Sequence, residues 1–162
     1  MEECRIENLY NLEQTIAKDI FEGVTYPWEV LQEIENDMEK DKSMNRLLQG
    51  DVGSGKTIVS IIAAYKAVKS GYQAAIMAPT SILASQHLES FTEILEKYNI
   101  RCELLISSIT KKKKEEILEK LKNGEIDVLI GTHAILEDNV IFKNLGLVVT
   151  DEQHRFGVRQ RS

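Results

Sequence analysis

The sequence predicts an α/β fold: a mostly parallel sheet with helices on both faces, built around a phosphate-binding loop and preceded by N-terminal helices. Three observations carry that expectation. Residues 50–57, Gly50-Asp51-Val52-Gly53-Ser54-Gly55-Lys56-Thr57, fit G-x-x-x-x-G-K-[ST]. Short, nearly continuous apolar runs at residues 74–78, 126–130 and 145–150 read as strands, the first with the pattern of a strand buried on both faces. Between them lie helical patterns of about 10–15 residues, the spacing of βαβ units and a parallel sheet.

The N-terminal part comes first. In residues 6–21, Ile6, Leu9, Tyr10, Ile16, Ala17, Ile20 and Phe21 recur at roughly helical spacing. Gly23 to Pro27 breaks that pattern. Residues 28–38 then form a second helix, with Val30, Leu31, Ile34 and Met38 on one side. Asp41-Lys42-Ser43 is a polar connection. We therefore expect a helical segment over residues 1–43 and a nucleotide-binding domain over residues 44–162.

Residues 44–49 (M-N-R-L-L-Q) form a short strand that runs into the loop, and residues 57–70 form a buried helix ended by Gly71. A glycine-rich turn could match the loop pattern by chance, but strand, loop and helix is the setting that phosphate binding requires. Glycine lets the backbone approach the ligand, and the exposed amides and helix dipole attract negative charge. Gly50, Gly53, Ser54, Gly55, Lys56 and Thr57 are the expected ligand contacts. Lys56 would reach the β- and γ-phosphates, and the Thr57 hydroxyl would hold Mg²⁺.

After the strand at 74–78, Pro79-Thr80-Ser81 opens a helix over residues 82–98. Its Leu88, Phe91, Leu95 and Tyr98 fall at i, i+3, i+7 and i+10. A strand follows at 103–106. A helix over 111–123 comes next, with Ile117, Leu118 and Leu121 inward and Gly124 closing it. The last strand, 145–150, runs into Asp151-Glu152. In parallel sheets ligands bind beyond the carboxyl ends of the strands. The phosphate loop, Pro79-Thr80, Gly131-Thr132-His133 and Asp151-Glu152 should therefore gather on one rim.

Asp151 stands where the second acidic element of a phosphate-loop enzyme belongs, able to hold Mg²⁺ beside Thr57. Glu152 is placed to orient or deprotonate the attacking water. His87, inside the amphipathic helix, reads as a packing or surface residue. His133 has either a rim or a packing role. The run Lys111-Lys112-Lys113-Lys114 reads as a solvated face, although cations at a helix start oppose its dipole.

Composition excludes several classes. The chain has 162 residues, 43% of them apolar and 28% charged, as in ordinary globular proteins. Nothing approaches the roughly 18 continuous apolar residues of a membrane span. The first residues, Met1-Glu2-Glu3-Cys4-Arg5, lack a signal-peptide layout. Two distant cysteines, Cys4 and Cys102, suggest neither a disulfide framework nor zinc, so a cytoplasmic location is expected. The net charge is −6, and residues 1–50 hold 12 acidic against 5 basic side chains. Any nucleic-acid surface must therefore be local, and the sequence carries no signal for oligomeric state.

Asp151-Glu152-Gln153-His154 after a phosphate loop resembles the superfamily 2 helicases. Residues 44–57, residues 78–87 (A-P-T-S-I-L-A-S-Q-H), Gly131-Thr132-His133-Ala134 and residues 151–161 (D-E-Q-H-R-F-G-V-R-Q-R) narrow the resemblance to the RecG family of branched-DNA helicases. The transcription-repair coupling factor is the nearest relative to exclude. The likeness covers residues 28–162.

It implies a RecA-like motor lobe using ATP and Mg²⁺, with branched DNA as partner. Lys56, Asp151 and Glu152 would be catalytic, and Thr57 and Asp151 would hold the metal. Pro79-Thr80 and Thr132-His133 would lie near the DNA backbone, and His154 would link the ATP and DNA sites. Two departures stand out: Pro27 occupies the place of the family's adenine-reading glutamine, and Ile106-Ser107-Ser108 replaces Thr-Gly-Ser. The family's second lobe with its arginine fingers, and its wedge domain, have no counterpart in these residues. The expectation is a single motor lobe, natural or truncated, inactive for unwinding by itself. The alternatives are a non-catalytic ATP- or DNA-binding module and a small phosphate-loop kinase; the D-E-Q-H element opposes the kinase.

Overall fold

The computed structural model describes residues 56–151. The chain divides into two compact units, Met1–Ala63 and Ala64–Ser162. Of the first, the described part is residues 56–63, the opening of helix α1 (Lys56–Lys69). The expected N-terminal helices, the strand at 44–49 and the boundary at 43/44 lie outside the described residues.

Within the second unit the chain runs through β1 (Gln73–Met77), α2 (Ser81–Leu95), β2 (Cys102–Leu105), α3 (Lys111–Asn123), β3 (Val128–Gly131) and β4 (Leu145–Thr150). Short 3₁₀ turns follow α2 at Glu96–Tyr98 and follow β3 at His133–Leu136. The four strands pair in the order β2-β3-β1-β4, and every pair is parallel. The expected α/β class and parallel sheet are therefore present.

Chirality assigns the faces. The crossover from β1 through α2 to β2 runs one way along the sheet, while the crossover from β2 through α3 to β3 runs back. Because parallel crossovers share one hand, the two helices lie on opposite faces. The next crossover, from β3 to β4, runs in the same direction as that of α3 and belongs on its face. The core agrees: Ile117 and Leu121 of α3 cluster with Ala75, Met77, Leu105 and Leu129, with Ala134 and Ile135 beyond β3, and with the half-buried Val140 and Phe142. All five β1 residues and all four β3 residues are buried, as central strands covered on both faces must be.

Element ends follow local chemistry. Thr80 and Thr110 are the N-caps of α2 and α3, their hydroxyls accepting from the amides of Leu83 and Lys113, each at 3.3 Å. The Thr110 cap offsets the unfavourable start that the lysine run gives α3. Gly124 closes α3 at φ +78°, a left-handed conformation suited to glycine. The helix expected over 82–98 instead tightens into a 3₁₀ turn after Leu95 and ends at Asn99 (φ +58°). β3 starts at Val128, two residues later than expected; just before it, the Asp127 Oδ2 accepts from the Arg101 amide at 2.8 Å.

Candidate active site

Three backbone hydrogen bonds beyond the strand ends build the rim. The Thr132 amide donates to the Leu105 carbonyl at 3.3 Å, the Ala78 amide to the Gly131 carbonyl at 2.9 Å, and the Asp151 amide to the Met77 carbonyl at 2.8 Å. Each continues a parallel ladder one step past its strand. The segments after β3, β1 and β4 consequently leave the sheet side by side. This is the gathering expected for Pro79-Thr80, Thr132-His133 and Asp151.

At these positions Thr80 caps α2, and Thr132 is buried at the start of the 3₁₀ turn, its carbonyl accepting from the Ile135 amide at 3.0 Å. His133 is exposed. Gly131 has a steric reason to be glycine, since a Cβ there would lie 2.0 Å from the Leu105 carbonyl oxygen. In the first unit, Lys56 and Thr57 form the first turn of α1, and the Ser60 hydroxyl donates to the Lys56 carbonyl at 3.1 Å. Gly50, Gly53, Ser54, Gly55, Glu152 and His154 lie outside the described residues.

One rim contact was not legible in the sequence. His87, on the second turn of α2, places Nε2 2.8 Å from Oδ2 of Asp151. Their side chains are 13% and 30% exposed, so the pair is partly shielded. The helical pattern put His87 beside the apolar stripe, and its ring does meet Phe91 edge-on at 6.4 Å. Its polar partner lies 64 residues away, beyond the reach of periodicity.

The lysine run has local uses. Lys114 pairs with Glu137 at 2.6 Å, Lys111 with Glu115 at 3.9 Å, and Lys113 with Glu103 at 3.9 Å. This is the solvated face that the sequence suggested, and the structure adds its ion pairs.

The Asp151 donor set suits magnesium: its hard carboxylate oxygens stand at a partly open strand end. Among the described residues no group of three or more His, Cys, Asp or Glu could hold a metal alone. Magnesium in nucleotide sites relies on one or two carboxylates together with the phosphates, so the set fits it.

A sequence profile of the DEAD/DEAH box helicases matches residues 28–162. The chain belongs to that family. This helicase-family chain is 58% identical over 132 residues to the ATP-dependent DNA helicase RecG of Bacillus subtilis, covering 82% of the chain and 19% of the relative. Against RecG of Aquifex aeolicus it is 51% identical over 150 residues, covering 93% and 19%.

Among solved structures it resembles RecG bound to a three-way DNA junction, with a TM-score of 0.75 and 47% identity over 92% of this chain and 21% of that one. Mycobacterium smegmatis helicase Lhr, solved with single-stranded DNA and AMP-PNP, shares the fold at a TM-score of 0.51 and 16% identity, over 65% of this chain and 14% of that one. The helicase-family chain spans about a fifth of the length of the RecG relatives it matches. No helix among the described residues is long and apolar enough to cross a membrane.

Proposed function

We propose that this chain is the ATP-binding motor lobe of a RecG-like helicase, acting on branched DNA in repair and recombination in the cytoplasm. The observation that carries the reading is 47% identity, across 92% of the chain, to a RecG solved on a three-way junction. The rim supports it, because the segments after β1, β3 and β4 emerge together at the carboxyl ends of the strands.

In this reading the amides of the glycine-rich loop and the Lys56 ammonium bind the nucleotide phosphates. Thr57 and Asp151 hold Mg²⁺, which when bound neutralises charge on the β- and γ-phosphates. Glu152 orients the attacking water and takes up its proton. Pro79-Thr80 and Thr132-His133 lie against the DNA backbone, and His154 links the two sites. A helix-capping threonine with a nearby exposed histidine suits phosphate contacts, which position without reading sequence.

Lys56→Ala tests the nucleotide half. Each charge-assisted hydrogen bond from the ammonium is worth about 1.5–3 kcal/mol. For every such bond removed, the variant should bind Mg²⁺·ATP analogue roughly 10- to 150-fold more weakly. Equal affinity in a titration of both proteins would refute the reading. Binding to a three-way junction, compared with linear duplex of equal length, tests the DNA half.

A further inference from the structure

We propose that His87 is a positioning residue of the ATPase site, holding the Asp151 carboxylate from helix α2. The proposal rests on the reading of Asp151 as a magnesium ligand.

The geometry comes from two elements. A carboxylate only accepts, so the His87 Nε2 carries the proton and donates it to Oδ2 across 2.8 Å. The neutral ring suffices for this. The ring is set in turn by its edge-on contact with Phe91, which is fully buried. The Asp151 main chain is pinned separately, its amide donating to the Met77 carbonyl at 2.8 Å. Met77 ends β1, and the chain from there passes through Ala78-Pro79-Thr80 into α2. Backbone and side chain of Asp151 thus both bond to the stretch from β1 to α2. That stretch includes the Thr80 cap, seven residues before His87.

This arrangement has a physical use. A carboxylate at a strand end can rotate about two side-chain torsions, and a metal ligand must be held in one orientation. Groups that hydrogen-bond a metal's ligands fix that orientation, and removing one commonly costs about 10- to 100-fold in metal affinity. His87 supplies such a bond. A residue of the apolar stripe alone, such as Leu88 beside it, could not.

The test uses a fluorescent, non-hydrolysable ATP analogue and measures the Mg²⁺ concentration at half-maximal binding, with analogue affinity in EDTA as control. His87→Leu keeps bulk and removes the donor. It should raise the Mg²⁺ requirement about 10- to 100-fold, while metal-free affinity stays within about twofold. His87→Gln restores an N–H at a similar reach and should recover most of the loss.

A packing role alone would change both affinities together and gain nothing from glutamine. An unchanged Mg²⁺ requirement in His87→Leu, or glutamine no better than leucine, overturns the proposal. If His87→Leu does not fold, His87→Asn, whose amide falls short of Oδ2, replaces it with the same expected loss. Wild-type binding that ignores both Mg²⁺ and Lys56→Ala would instead overturn the nucleotide reading, and this proposal with it.

Discussion

Gln73 shows how much one buried polar residue can fasten. It is 5% exposed, and its amide nitrogen donates to the carbonyls of Leu121 at 3.0 Å and Ile126 at 2.7 Å. Its oxygen accepts from the Asn144 amide at 3.0 Å. One side chain therefore ties the start of β1 to the end of α3, the approach to β3 and the approach to β4. Unmade buried hydrogen bonds cost about 1–3 kcal/mol each. Gln73→Met, similar in length, should lose roughly 2–4 kcal/mol in urea unfolding.

Cys102 is the opposite kind of polar group. Burial, and to a lesser degree the Asp127 charge, push its thiol up to about 12 against an opposing hydrogen bond from Thr92. The folded state thus keeps its proton where the unfolded chain begins to lose it near pH 9, so this contribution to stability is complete below pH 9 and falls from there towards 12. In a Cys4→Ser background, alkylation of the folded protein at pH 8 should run at least about tenfold slower than in urea, because only the thiolate reacts.

Elements are positioned by close backbone approach as much as by side-chain packing. β3 ends at Gly131, where a Cβ would meet the Leu105 carbonyl oxygen at 2.0 Å and the Ile135 side chain at 3.2 Å. A carbonyl fixed in a strand cannot swing aside as a flexible side chain can. Gly131→Ala should cost about 1–3 kcal/mol, the range for overpacking, and lower the urea midpoint with an unchanged slope. It should also weaken the Thr132 amide bond to Leu105, and with it the placing of Thr132-His133. A variant as stable as the wild type would mean that β2 and β3 separate freely. The caps act more locally: Thr110 and Gly124 bound α3.

At the scale of the molecule, the helicase reading predicts how the nucleotide base is treated. Pro27, outside the described residues, is placed by the resemblance at the family's glutamine position, and it has neither a polar side chain nor an N–H to read adenine. Sites that hydrogen-bond a substrate group reject analogues lacking it strongly, and sites without such groups do not. Preference for ADP over GDP should therefore stay below about tenfold, or roughly 1.4 kcal/mol, in parallel titrations. A much larger preference would mean that another residue, Gln14 or Gln32 among the candidates, reads the base.

The sequence by itself determined the elements and the family. Continuous apolar runs, period-3.6 patterning and the Gly124 stop are local, and each described helix and strand lies within a few residues of its expected place. Lys56, Thr57 and Asp151 are proposed from the sequence because phosphate binding requires particular residue types beside a strand end. What only the tertiary structure decided was adjacency. Nothing local says that β1 lies between β3 and β4, yet that order sets the Asp151 amide on Met77 and brings His87 to Asp151. Nothing in the run Q-A-A-I-M shows that its first residue holds three segments together. Strand order arises from burying whole faces and from the hand of the crossovers, sums over the entire domain, so contacts between residues 64 positions apart become readable only once the sheet is assembled.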